Sequence, residues 1–88
     1  MNTYVIKEEG KNGSVELVDG KLVRTIKHRI GRDDLQSILI KSITDVAVNR
    51  RLMGSDIVTI TLGNAKSYVW KTPHAEELAA LVLAAVQS

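Results

Sequence analysis

The residues best placed to do chemistry are the cations of KLVRTIKHRIGR, which spans 21–32. Lys21, Arg24, Lys27, Arg29 and Arg32 lie there beside His28, with no acidic residue among them. Cations at this density offer converging charged donors to phosphate oxygens, so anion binding is the chemistry they suggest. The same residues also suit a solvated edge strand, where Lys and Arg discourage pairing with another chain. On a strand Arg24 and His28 share one face while Lys27 and Arg29 share the other, so the five charges do not all converge. The edge-strand reading therefore stands ahead of the ligand reading.

Catalytic constellations are absent from the sequence. There is no cysteine, and the two histidines, His28 and His74, fall on different elements. Ser37, His74 and Asp56 could be written as a triad, but nothing in their spacing fixes a geometry. Asp33-Asp34 and Glu76-Glu77 are adjacent acids, which diverge on any regular element and do not form the facing carboxylates of a glycosidase. The six glycines make no Walker loop or GxGxxG, and no HExxH is present. The expectation is a non-enzyme with no metal and no cofactor. Nucleic acid is not expected as a partner either. The aromatics are only Tyr4, Tyr68 and Trp70, all outside the basic segment, where bases would need stacking platforms.

The elements that must position these residues are mostly strands. TYVIKE (3–8) is β-branched and aromatic and ends at the polar, glycine-containing EGKNG. SVELVDGKLVRTIKH reads as a hairpin turning at Asp19-Gly20, a pair suited to a type I′ turn. RIGRDD (29–34) reads as a loop, followed by strands in LQSILI (35–40) and SITDVAVNR (42–50). DIVTITL (56–62) alternates with period 2, and KSYVWK (66–71) follows the Gly63-Asn64 turn. Seven short strands at this spacing predict a closed or nearly closed antiparallel barrel or sandwich.

The period then changes. Thr72-Pro73 reads as N-cap and first helical position, opening a helix over 73–87. Glu76 and Glu77 suit its N-terminal dipole. Leu78, Leu81, Val82, Ala85 and Val86 draw one apolar stripe that should face the barrel. Ala79, Ala80 and Leu83 widen the apolar arc and are the candidate interface.

With 88 residues, 44% of them hydrophobic, the chain makes one domain, 1–88, with a modest aliphatic core. Twelve basic against ten acidic residues give a net charge of +2, so electrostatics are a local matter. The segment 1–11 is polar where a signal peptide would be apolar, and no run is long enough to span a bilayer. These features point to the cytoplasm, with a peripheral place at the membrane as the alternative.

SILIKSITDVAVNRR and DIVTITLGNAKSYVWKTPHAEELAALVLAAV resemble the second half of a bacterial pleckstrin-homology-like domain. That resemblance, running from about Gly13 to Val86, implies a seven-stranded antiparallel barrel capped by one C-terminal amphipathic helix. It also implies a non-catalytic module, and its phosphoinositide-binding members supply the Lys-x(n)-Lys-x-Arg spacing that Lys21, Lys27 and Arg29 match. Trp70 sits in the last strand, where eukaryotic members carry a tryptophan in the helix. The first expectation is thus an interaction module making protein contacts, foremost as a homo-oligomer. The second is a binder of phosphate-bearing ligands or anionic lipid head groups through 21–32.

Overall fold

In the computed structural model, which describes residues 3–87, one antiparallel sheet runs through the whole chain. Its strands are β1 (Thr3–Glu8), β2 (Lys11–Val18), β3 (Lys21–Ile26), β4 (Asp34–Leu39), β5 (Ile43–Asn49), β6 (Asp56–Leu62) and β7 (Ser67–Thr72). A single helix, α1 (Ala75–Gln87), follows them. The order across the sheet is β4-β3-β2-β1-β7-β6-β5, so the first and last strands of the meander meet in its middle. The sheet is not closed into a barrel. β4 and β5 are its two edges, joined by a 3₁₀ turn at Ile40–Ser42 where direct pairing would have closed the ring. The helix packs on β5, β6 and that turn.

Inward-facing side chains at alternate positions build the core. Ile6, Val15, Leu22, Ile26, Ile38, Val58, Ile60 and Trp70 are buried together with Leu78 and Val82 of the helix. Two primed turns tighten the N-terminal half. Asp19-Gly20 has φ of 49° and 74°, as its composition predicts, and Glu9-Gly10 has 51° and 80°.

The second of these turns corrects the sequence reading, which opens the hairpin only at Ser14, after EGKNG. β2 already begins at Lys11, and Gly13 sits inside the sheet. A Cβ there would come within 2.4 Å of the Thr25 carbonyl oxygen and 2.7 Å of Ile26 Cδ1. The glycine marks a close approach between strands rather than a turn.

The helix also differs. It starts at Ala75, because Thr72 is the buried last residue of β7 and Pro73-His74 form a turn. The Thr72 hydroxyl accepts the His74 N–H at 3.2 Å, and the first helical bond runs from the Leu78 N–H to the His74 carbonyl at 2.9 Å. The buried face is Ala75, Leu78, Ala79 and Val82, with Ala85 partly buried against it. Ala79, expected at an open interface, is only 5% exposed. Val86, expected inside, is exposed, and Leu81 is half-buried. Ala75 and Ala79 share the contact face with fully buried Leu78 and Val82, and Leu83 and Val86 face outward.

Candidate anion-binding groove

The structure divides the basic segment. Lys21, at the start of β3, lies a strand length away from the cations beyond its end, about 20 Å at the rise of a β-residue. Lys27, Arg29 and Arg32 lie in the exposed β3–β4 connection. Arg24 points inward and is 7% exposed. Its Nε donates to Glu8 Oε1 at 2.8 Å, its Nη2 donates to Glu8 Oε2, and its Nη1 reaches Asp34 Oδ2 at 3.3 Å. The guanidinium also stands over the Tyr68 ring, 5.5 Å from the centroid. Arg24 is therefore committed to an internal ion pair and has little left to offer a ligand.

Glu8 is the centre of this network. It takes both bonds from Arg24, and its Oε1 also accepts the Trp70 indole N–H at 2.9 Å. The Arg24 hydrogen bonds hold the Glu8 carboxyl below its ordinary pKa, against the opposing push of burial, with the Trp70 bond adding to the lowering. Glu8 in turn raises the Arg24 pKa. The aromatic pair Tyr68 and Trp70 is buried, and the Trp70 N–H is spent on β1. Tyr68 and Trp70 lie 5.8 Å apart, and the Tyr68 hydroxyl is buried without a hydrogen-bond partner among the described residues. A cleft of about 300 Å³ opens over this network. Its walls carry three acids (Glu8, Glu9 and Asp34) against two cations (Arg24 and Lys66), so it has no anionic preference.

A second, larger cleft has the opposite character. It is a groove of about 400 Å³ between the β1–β7 seam and the loop 50–55. Three of its lining residues, Lys7, Arg51 and Lys71, are cationic, and none is acidic. Register puts them together: Lys7 on β1 is the direct partner of Lys71 on β7 and also of Asn12 on β2. The Lys27 N–H donates to the Asn12 carbonyl at 2.9 Å, which brings one cation of the predicted segment to the end of the same row. All four residues are exposed on the outer face of the sheet.

Arg51 enters from the facing loop, where Asp56 Oδ1 accepts its backbone N–H at 3.0 Å and fixes the turn. Neighbouring Arg50 is engaged by Glu76 of the helix. Lys7, Arg51 and Lys71 have no ion-pair partner among the described residues. Asn12 and Ser55 add neutral polar groups to the walls. Like charges set directly opposite across two strands repel. Such an arrangement can bind an anion, which would relieve that repulsion.

Sequence reasoning missed Lys7, Arg51 and Lys71 because they lie 20 to 64 positions apart along the chain, and only the strand register and the fold of the loop 50–55 join them. The paper triad does not assemble. Asp56 is engaged with the Arg51 N–H, His74 Nδ1 lies 4.0 Å from Glu77, and Ser37 sits exposed on edge strand β4. No family model matches the chain, and no curated protein matches it.

Proposed function

We propose that this protein is a non-catalytic interaction module of pleckstrin-homology-like architecture that engages an anionic partner through the groove of Lys7, Arg51 and Lys71. The observation that carries the reading is three unpaired cations on one groove with no acid in its walls. The architecture is supported by seven antiparallel strands and a C-terminal helix packed on β5, β6 and the 3₁₀ turn, as the family resemblance implies. Anion binding thus moves from the basic segment 21–32 to a surface that includes only its Lys27 end. Cytoplasmic placement belongs to the same proposal; among the described residues no helix is long and apolar enough to cross a membrane.

The test is titration with two simple anions, acetylated tetraglutamate and tripolyphosphate, at low salt. Binding should be lost in the triple variant Lys7→Gln/Arg51→Gln/Lys71→Gln and should weaken with added salt, since exposed charges are screened over about 8–10 Å. Binding of both anions that survives the triple substitution would remove the groove from the account.

Self-association is a second reading, favoured by one observation. Edge strand β4 carries exposed Leu35 and Leu39, and α1 leaves Leu83 and Ala80 outside. An unpaired edge with apolar side chains is a template for pairing with a second copy. Light scattering at micromolar concentration should then give a mass above 9.7 kDa that rises with concentration. Loss of that rise in Leu83→Glu places the contact on the helix, and its persistence places it on β4.

A further inference from the structure

We infer that the occupant of the groove is an extended acidic segment of another protein, bound as an added strand along the open edge of β1. This rests on the groove being the contact surface and names what fills it. The two edges of β1 are unequal. Toward β2 it pairs at every residue from Thr3 to Glu8, whereas toward β7 it pairs only at Lys7, with Lys71. The reason is covalent. One residue beyond Thr72 the neighbouring chain reaches Pro73, which has no N–H to continue a ladder, and then turns into the helix. Thr3–Ile6 of β1 is left without a β7 partner in the ladder.

That vacant edge and the cations belong to one groove. Val5 and Ile6 line it together with Lys7, and Pro73 and Lys71 stand across from them. A strand laid beside β1 obtains main-chain hydrogen bonds from this edge, the usual source of affinity in strand addition. Its side chains alternate, so every second residue can face outward where Lys7, Lys71 and Arg51 stand. Acidic residues at those positions meet three unpaired cations beside exposed Val5, which shares the outer face with Lys7, and the residues between them turn to the opposite face, on the side of buried Ile6. A small phosphate would satisfy the charges and leave the edge unused, so the acidic peptide is the occupant that fits both features.

The experiment uses an end-blocked hexapeptide alternating Glu and Val. Two further versions are N-methylated, one at the Glu positions and one at the Val positions, and tripolyphosphate is the non-peptide anion. Only one edge of an added strand faces β1, so one methylation pattern should weaken binding by about tenfold or more, the loss of one or two hydrogen bonds. The other pattern should bind like the parent peptide. Lys71→Gln should weaken all the anions, including tripolyphosphate. If the two patterns behave alike, or only tripolyphosphate binds, strand addition is overturned while the groove stands. If no anion responds to Lys71→Gln, the groove reading falls as well.

Discussion

Lys7 and Lys71 face each other directly across β1 and β7, the one register pair between these two strands among the described residues. Opposed residues in an antiparallel pair have Cα atoms about 4.5–5.5 Å apart, so the two ammonium groups share one patch of surface. A seam built for stability alone would carry opposite charges there. The placement costs stability, which accords with the proposed contact surface.

Replacing one member tests that cost. Lys71→Glu turns a repulsive cross-strand pair into an attractive one and should raise stability by about 0.2–1 kcal/mol at low ionic strength. The gain should shrink in high salt. Thermal melts at two salt concentrations check this, and the same variant should lose anion binding. A destabilised Lys71→Glu would mean the lysine has a structural partner.

The Glu8–Arg24 pair should behave in the opposite way. Glu8→Gln leaves the guanidinium with Asp34 alone and should cost about 3–5 kcal/mol near neutral pH, the range for breaking a buried pair. Glu8 has a folded pKa below its ordinary 4.5, so its contribution is complete above that value and fades as pH falls through the lowered one. Denaturant unfolding of both forms should therefore show a gap that is constant from neutrality to about pH 5 and closes in more acid solution. A gap that widens on acidification contradicts the assignment.

Helix phase gives a third prediction. Ala79 lies against the sheet and Ala80 does not, so Ala79→Leu should cost about 1–3 kcal/mol from overpacking. Ala80→Leu should change stability by less than about 0.5 kcal/mol. Urea midpoints of the two variants decide it, and the reverse order would place Ala80 rather than Ala79 against the sheet.

These cases mark what could be read before the structure. Strands β1, β6 and the β2–β3 hairpin follow from period-2 alternation and from Asp19-Gly20, signals that are local in the chain. The phase of α1 is only partly legible: Leu78 and Val82 lie inside as the stripe predicts, but Ala79, Ala80, Leu81 and Leu83 make the helix apolar around most of its circumference, and counting large residues selects Val86 over buried Ala79. Gly13 falls before the strand read from Ser14, because a glycine's need for room is visible only once Thr25 lies beside it. Arg24 looked like one cation in a cluster, since nothing local indicates that Glu8, sixteen positions earlier, meets it inside the sheet. The groove was hidden for the same reason. Its cations come from β1, β7 and the loop 50–55, and no window of sequence contains them together.

The measurement that tests the central claim most directly is a backbone amide NMR titration of the wild-type protein with acetylated tetraglutamate at low salt. The account predicts that Lys7, Asn12, Arg51, Gly54 and Lys71 shift together along one binding curve, with Lys21, Arg29 and Arg32 unmoved. Shifts confined to 27–32, or none in the groove at saturating peptide, would contradict it.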